Sequence, residues 1–374
     1  MLAFACPAPT AVVAGLAAER SSVAESSGDL CFFRSVALVR DDGTCLLRVH
    51  GHFGRRKPNS VWRRVIVRAF GRRLGLTAEQ RRSEVFRARA MAFLVDNHGD
   101  RSTTILVGGR MAEGARSGAH GHFRCEIELS AAECRAADGL LRFGSALGNS
   151  GEATVLTPCG LSVVSDIDDT VRISHIGDRR RMLEGTFLRP FEPVAGMAAL
   201  YERLRALGTP TAPTTFHYLS ASPWQLYEPL VEFLDEHRFP KGSLHLRRWR
   251  VKDSSYGALF RSARPHKEAV VRQLIEDVPR RRIVLVGDSS QEDAEIFTDL
   301  ARAFPESICL VAIRQGEAAP LSRERIERAS AELGERWMLF RGATEWESVM
   351  ERIRNSVGGT SSTSSERPSR QGLF

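Results

Sequence analysis

The sequence predicts an α/β domain with a parallel sheet, preceded by an antiparallel β-sandwich-like domain. Two short apolar segments, residues 161–164 and 283–286, each end in carboxylates. Unbroken apolar segments of this length are typical of parallel strands that are buried on both faces. Between residues 30 and 150 the chain instead has short segments rich in β-forming residues, separated by Gly, Pro, Asn and Asp. Such spacing indicates antiparallel strands joined by turns.

Composition sets the domain organisation. The chain has 374 residues, of which 43% are hydrophobic, so it can bury a full core in two domains. We predict a disordered N-terminus (1–29), an accessory β domain (30–150), an α/β domain (151–357) and a disordered tail (358–374) that is rich in Ser, Thr, Gly and Arg. Within the β domain, strands are predicted at residues 32–40, 45–52, 61–70, 85–95, 102–107 and 122–129.

The first chemical motif is Asp166-x-Asp168-x-Thr170, directly after the first apolar segment. Residues i and i+2 of an extended chain point the same way, so the carboxylates of Asp166 and Asp168 should lie side by side. Such a pair requires a cation, or a proton on one partner. Asp is a hard oxygen ligand for Mg²⁺, and a carboxylate can attack phosphorus. The motif therefore indicates metal-assisted phosphoryl chemistry; an acidic turn that caps a helix is the alternative.

The second motif is Gly287-Asp288 followed by Asp293, and Gly287 is expected to let the chain turn sharply after the strand. Two other candidates lie between the motifs: Ser220, which ends a β-prone segment, and Lys267, at a predicted helix start. Ser220 could hold a phosphate oxygen, and Lys267 could neutralise aspartates and phosphate. The carboxyl edge of an α/β sheet would bring all of these side chains together.

The order of these motifs resembles that of the haloacid dehalogenase phosphatase superfamily. A narrower resemblance is to the actin-patch-associated, Mg²⁺-dependent phosphatidate phosphatase family, over about residues 150–316. It implies a haloacid dehalogenase-like Rossmannoid sheet with helices on both faces. The segments that carry it are residues 164–170, 185–187, 193–197, 218–226, 239–243 and 286–289.

The resemblance also implies a role for each matching residue. Asp166 would attack phosphorus and form an aspartyl-phosphate, while Asp168 would protonate the leaving alkoxide and then activate water. The Mg²⁺ ligands would be the Asp166 carboxylate, the Asp168 backbone carbonyl and Asp288. The remaining matching residues would support the site: Ser220 and Lys267 by holding the phosphoryl oxygens, Asp293 from just outside the metal, and Thr170 by ordering the loop.

The spacing predicts an open site. Only about twenty residues separate Thr170 from the next predicted helix near Val194, which is room for a small flap but not for a folded cap domain. An open site suits a phosphate carried on a bulky group, such as a lipid headgroup or a protein.

The charge and the cysteine content indicate the cellular location and the kind of partner. The net charge is +8, and arginine clusters lie beside Trp62 and Trp249. This favours an anionic membrane surface as a peripheral partner, although compositional bias would also explain it and no specific nucleic acid is indicated. The seven cysteines show no Cys-x-x-Cys spacing, and no apolar stretch is long enough to span a bilayer. We expect a cytoplasmic protein; a signal peptide or a lipid-modified Cys6 is the minority alternative.

The function predicted from these features is Mg²⁺-dependent hydrolysis of phosphatidate to diacylglycerol and phosphate. A phosphatase of another bulky phosphomonoester, such as a lysophospholipid or phosphoprotein, remains open. So does an adaptor that binds membrane or protein through its β domain and carries a vestigial phosphatase site.

Overall fold

The computed structural model describes residues 30–55, 60–134, 139–247, 262–290, 292–316, 320–342 and 345–358. The predicted disordered N-terminus, nearly all of the predicted tail, Cys6, Trp249 and two of its neighbouring arginines, Arg248 and Arg250, lie outside these residues. No helix in the described part of the chain is both long and apolar enough to cross a membrane.

The first half of the chain forms a nine-stranded sheet with a helical insertion. Its strands have the order β1-β3-β2-β9-β8-β5-β6, with β4 and β7 also paired to β3, and only the β2–β9 pair is parallel. Its elements are β1 (Leu30–Phe32), β2 (Ser35–Val39), β3 (Cys45–Arg55), α1 (Val61–Arg73), α2 (Glu84–Ala92), β4 (Asp96–Asn97), β5 (Thr104–Val107), β6 (Arg110–Glu113), β7 (His122–Leu129), β8 (Leu140–Ser145) and β9 (Ser150–Leu156).

Two of the predicted strands are wrong. Residues 61–70 and 85–95 were expected to be extended, but they contain the helices α1 and α2. The Val- and Ile-rich composition of residues 61–67 favours a strand locally, and tertiary packing overrides it. Each helix begins at a serine whose hydroxyl accepts a backbone N–H hydrogen bond, Ser60 from Arg63 and Ser83 from Phe86. This serine pattern was the available sequence signal for a helix.

Alternate side chains of the first sheet meet in one hydrophobic core. Leu47 and Val49 of β3 pack there against Ile127 of β7 and Phe143 of β8. The nine strands are hydrogen-bonded into one sheet, so the predicted sandwich of two sheets is not confirmed.

The second half is an α/β unit with a six-stranded parallel sheet of order β14-β13-β10-β15-β16-β17. If these six strands are numbered 1 to 6 by their order along the chain, the order across the sheet is 3-2-1-4-5-6, which is typical of doubly wound folds. Its elements are β10 (Leu161–Asp166), β11 (Arg172–Ile173), α3 (Arg179–Phe187), β12 (Glu192–Pro193), α4 (Met197–Arg205), β13 (Thr215–Pro223), α5 (Tyr227–Glu236), β14 (Ser243–Arg247), α6 (Arg264–Asp277), β15 (Arg282–Asp288), α7 (Asp293–Ala303), β16 (Ile308–Arg314), α8 (Arg323–Leu333), β17 (Trp337–Phe340) and α9 (Trp346–Gly358).

Both faces of the parallel sheet are covered, as the apolar strands predict. Val163 packs with Tyr201 of α4 on one face, whereas its neighbour Val164 packs with Val271 of α6 and Phe297 of α7 on the other. The expected α/β architecture with a parallel sheet is confirmed.

The flap after β10 is a hairpin that encloses a helix. β11 pairs with β12, and α3 lies between them. Phe187 at the end of α3 packs against Phe70 of α1, Phe86 of α2 and Phe93. The helical insertion of the first half therefore covers the flap of the second half.

Candidate active site

The loop after β10 is stabilised by hydrogen bonds to one of its own side chains, that of Asp169. Asp169 has a positive φ of 58°. Its carboxylate accepts hydrogen bonds from the backbone N–H groups of Ser174 (2.8 Å), His175 (2.9 Å) and Ile176 (2.9 Å). Asp169 thus fixes the start of the flap, and its neighbours Asp166 and Asp168 are left at the carboxyl edge of the sheet, where doubly wound folds place their ligands.

Lys267 joins the two sequence motifs. Its Nζ lies 2.6 Å from Asp166 Oδ1 and also donates a hydrogen bond to Asp293 Oδ1. All three side chains are at most 1% exposed. Thr170 Oγ1 donates a hydrogen bond of 3.4 Å to Asp166 Oδ2, so Thr170, which was predicted to order the loop, contacts the predicted nucleophile. The structure thus gathers strand ends and helix starts that are more than 100 residues apart around Asp166.

Asp166, Asp288 and Asp293 form a buried carboxylate cluster, with one oxygen from each within 4.8 Å of the others. In the described part of the chain, Asp288 Oδ1 and Asp293 Oδ2 are buried without a hydrogen-bond partner. Three carboxylates face one Lys267 ammonium, so two negative charges are left if all three are ionised. The residues fit a divalent cation with a preference for oxygen ligands. Asp293, expected just outside the metal, lies among the candidate ligands.

The electrostatics of this cluster follow from burial. Burial raises the pKa of Asp166 well above its ordinary value, and the positive charge of Lys267 offsets only part of this. Burial, together with the nearby Asp293, raises the pKa of Asp288 to about 7. Burial opposes the charged form of Lys267, but Asp166 and Asp293 raise the pKa of its ammonium above the usual range. Lys267 is therefore a fixed positive charge in the site.

Asp168 has different partners. It accepts hydrogen bonds from Ser220 Oγ (2.6 Å), from Ser222 Oγ (3.2 Å) and from a guanidinium N–H of Arg172. Burial alone would raise the pKa of Asp168, but Arg172 and the Ser220 hydroxyl hold it below its ordinary value. Ser220, predicted to hold phosphate, thus lies beside Asp168 with its hydroxyl directed at it.

Arg172 and Ser222 are site residues that the sequence analysis missed. Arg172 lies in β11 and is 3% exposed, and its Nε and Nη1 have no hydrogen-bond partner among the described residues. The only signal was its position four residues after Asp168. In a loop, a separation of four residues does not predict a side-chain contact unless the backbone conformation at Asp169 is known.

A cavity of about 340 Å³ lies beside the carboxylates. Its polar lining includes Asp168, Arg172, Ser222 and Asp293, and its apolar lining includes Phe93, Met182, Leu183, Phe187, Pro223 and Leu226. The flap therefore does not form the wall of this cavity alone. The prediction counted only residues after Thr170, whereas Phe93 comes from the first half of the chain.

Gly287 has a different role from the one expected. It lies inside β15 opposite Ile313, and its φ is not positive, so no turn depends on it. A Cβ at this position would lie 2.7 Å from both Cβ and Oδ2 of Asp293. The missing side chain is what allows Asp293 to approach the end of β15.

Residues 161–315 match the family described as "Phosphatidate phosphatase APP1, catalytic domain". The phosphatidate phosphatase APP1 of Saccharomyces cerevisiae is 29% identical over 165 residues, which are 43% of this chain and 27% of the yeast protein. An uncharacterized protein of Schizosaccharomyces pombe is 30% identical over 167 residues, 44% of this chain and 26% of that protein. The chain thus spans about a quarter of the length of the curated relatives it matches.

A solved structure of a carbohydrate esterase covers 81% of this chain and 95% of its own, at 11% identity and a TM-score of 0.22. A similarity this low carries no argument about fold or function.

Proposed function

We propose that this chain, whose residues 161–315 belong to the APP1 catalytic-domain family, is a Mg²⁺-dependent phosphatidate phosphatase that produces diacylglycerol and phosphate. The observation that carries the proposal is the convergence of Asp166, Lys267, Asp288 and Asp293 in one buried cluster beside a largely apolar cavity. A cytoplasmic protein attached peripherally to an anionic membrane is the setting that suits this substrate.

In the first step, an oxygen of the Asp166 carboxylate attacks phosphorus, and the bond from phosphorus to the glycerol oxygen breaks. Asp168 gives its proton to the departing alkoxide, which leaves as diacylglycerol. The hydrogen bonds of Asp168 to Ser220 and Arg172 fix its carboxylate at the edge of the cavity. Because these partners favour the ionised form, Asp168 has to take this proton from solvent or from a singly protonated phosphate ester when substrate binds.

In the second step, Asp168 is again ionised and removes a proton from a water molecule. The resulting hydroxide attacks the phosphorus of the aspartyl-phosphate, the bond to the Asp166 oxygen breaks, and phosphate is released. Arg172 Nε and Nη1, which have no hydrogen-bond partner among the described residues, and the Lys267 ammonium are the positively charged donors that would hold the oxygens of the transferring group. Positively charged donors stabilise the charge that develops on its oxygens.

Asp166, Asp288 and Asp293 are the side chains that would hold the Mg²⁺ ion. The backbone carbonyl of Asp168 remains an expected further ligand. When bound, the ion would supply positive charge to the phosphoryl oxygens and balance the excess of carboxylates.

Lipid is the favoured substrate because of the cavity walls. A small sugar phosphate would place hydroxyl groups against Phe93, Leu183 and Phe187, whereas glycerol esterified with acyl chains presents apolar surface there. Another lipid phosphate, such as lysophosphatidate, would fit the same walls.

The test is phosphate release from phosphatidate, lysophosphatidate, sugar phosphates and phosphopeptides, each with Mg²⁺ and with a chelator. We expect Mg²⁺-dependent release from the two lipids. Equal release from sugar phosphates would contradict the lipid assignment, and no release from any substrate would favour an adaptor with a vestigial site. Asp166→Asn should abolish turnover, and a beryllium fluoride complex should place its phosphate mimic on Asp166.

A further inference from the structure

Helix α1 exposes an apolar face to solvent. Val61 is 67% exposed, Trp62 72%, Val65 46% and Ile66 36%. Their spacing of one and four residues places them on one side of the helix. Among the described residues, only Met111 and Ile173 are comparably exposed large hydrophobic side chains, and both lie on other elements. The four side chains therefore form one continuous patch.

The other side of α1 is firmly packed. Val67 and Gly71 are buried, and the ring of Phe70 lies 5.5 Å from that of Phe187 on α3. The helix is thus anchored by a narrow inner face, and the exposed patch is additional apolar surface that this packing does not use.

The charge of α1 favours one kind of partner. The helix contains five arginines and no acidic residue. Arg63 turns inward to the carbonyl of Leu94 and to Asp96. Arg64, Arg68 and Arg72 follow one another at four-residue spacing and are exposed, in a row beside the apolar patch. A symmetric dimer through this face would bring two such rows together and would be opposed by repulsion, whereas an anionic lipid surface attracts them.

Helix α1, which carries the patch, also packs against residues that line the cavity. Phe93 and Phe187 line the cavity, and both rings pack against Phe70 of α1, at 6.3 Å and 5.5 Å between centroids. Phe93 and Phe187 therefore contact both the inner face of α1 and the cavity that Asp168 also lines.

We propose that the outer face of α1 is the surface that docks this protein on an anionic lipid bilayer. The apolar patch (Val61, Trp62, Val65 and Ile66) enters the interface while the row of Arg64, Arg68 and Arg72 contacts lipid phosphates. The helix then lies in the plane of the membrane. The link between docking and delivery of a lipid to the cavity rests on the proposed function, but docking itself does not.

The test is co-sedimentation of the full chain with phosphatidylcholine vesicles, with and without phosphatidylserine, which is anionic but is not a phosphomonoester. Wild type should bind only the anionic vesicles. Binding should weaken steeply as salt shortens the Debye length from about 10 Å at 0.1 M to about 3 Å at 1 M. Trp62→Ser combined with Val65→Ser should lower the affinity by about tenfold or more. The triple change of Arg64, Arg68 and Arg72 to Gln should lower it by about a hundredfold at low salt.

Met111→Ser is the matched control, because this side chain is 70% exposed but lies in β6. It should bind as wild type, and all variants should hydrolyse a soluble aryl phosphate at the wild-type rate if the site is intact. Unchanged vesicle binding in both α1 variants would overturn the proposal. So would a particle mass in light scattering that falls on Trp62→Ser, because that result would make the face an interface between copies. Binding that depends on α1 in a chain with no phosphatase activity would support docking and contradict only the proposed function.

Discussion

The guanidinium of Arg172 donates a hydrogen bond to the carboxylate of Asp168, and each side chain is at most 4% exposed. Arg172 also lies over the ring of Phe191, with Cζ 4.2 Å from the centroid. The ring and the ion pair leave Nε and Nη1 as buried donors without a partner among the described residues. Under the proposed function, Arg172 would therefore orient Asp168 and also hold a phosphate oxygen.

Arg172→Lys should weaken phosphate binding more than it weakens the fold. Lysine keeps the positive charge beside Asp168 but cannot supply the two further planar donors. Each lost charge-assisted hydrogen bond costs about 1.5–3 kcal/mol, so the inhibition constant of inorganic phosphate should rise about tenfold or more. Steady-state inhibition measures this, and thermal unfolding is the control for stability. An unchanged inhibition constant would make Arg172 only a counter-ion.

Asp168→Asn should slow the hydrolysis of alkyl phosphates much more than the release of an aryl leaving group. Asparagine cannot transfer a proton, so turnover of an alkyl phosphate should fall by about 10²–10⁴-fold. An aryl leaving group needs little protonation, and its release in the first step should be largely retained. Rapid-mixing measurement of the burst of phenol reports that step directly. If both substrates lose the same factor, Asp168 acts through structure or metal binding.

Addition of Mg²⁺ should raise the melting temperature, and Asp288→Asn or Asp293→Asn should remove the increase. A ligand present at about 100 times its Kd stabilises the folded state by about 2.7 kcal/mol. Without Mg²⁺, Asp288→Asn should be at least as stable as wild type, because removing one charge relieves the repulsion within the cluster. Asp293→Asn also loses the buried ion pair with Lys267, so it should be less stable than Asp288→Asn.

Asp299→Asn is the control for this experiment. Asp299 lies in α7 with Asp293, but its side chain is 43% exposed and pairs with Arg264 and Arg302. It should keep the full Mg²⁺-dependent increase. An increase that survives in Asp288→Asn and in Asp293→Asn would place the ion elsewhere.

Stability should decline on mild acidification, with a contribution from His217. This side chain is 1% exposed in β13 and hydrogen-bonds to Ser243 Oγ at 2.7 Å. Burial lowers the pKa of His217 well below 6.5, and the nearby His245 and Arg281 add to the effect. The unfolded chain binds this proton near pH 6.5 and the folded chain does not, so stability is full above that pH and is lost below it.

The expected loss from His217 is about 1.4 kcal/mol per pH unit below 6.5, until the pH reaches the folded pKa. Urea unfolding between about pH 7 and pH 5 should therefore give a shallower slope for His217→Gln than for wild type. Equal slopes would show that His217 is not the group that protonates.

The sequence was sufficient for the parts of the structure that follow from short-range patterns. Val163, Val164 and the β15 strand are apolar on both faces, which is enough to predict a covered parallel sheet. Asp166, Asp168 and Asp288 follow such strands, so their meeting at one edge could also be predicted.

The features that could not be predicted depend on contacts between segments that are far apart in the sequence. Residues 61–70 have the composition of a strand but form α1, because its inner face packs onto α2 and α3. The contribution of Phe93 to the cavity wall could not be predicted from the flap length, since Phe93 comes from the other half of the chain. Arg172 became recognisable only with the left-handed turn at Asp169, which brings it back to Asp168.

Gly287→Ala should displace Asp293, one of the proposed Mg²⁺ ligands. The added Cβ would lie 2.7 Å from Cβ of Asp293 and 2.8 Å from the ring of Phe297, closer than real Cβ contacts allow. Asp293 begins α7, so the helix start must shift with it. Overpacking of this kind costs about 1–3 kcal/mol, and the displaced carboxylate should also lose the Mg²⁺-dependent increase in melting temperature.

Gly185→Ala is the matched substitution, because nothing lies within 4 Å of the position its Cβ would take, in helix α3. Alanine there should stabilise the protein by about 0.5–1 kcal/mol, since it lowers the entropy of the unfolded chain and suits a helix better than glycine. Thermal unfolding of both variants, with and without Mg²⁺, makes the comparison. A Gly287→Ala protein that keeps both wild-type stability and the Mg²⁺-dependent increase would show that Asp293 can move without loss, and would remove Asp293 from the ligand set.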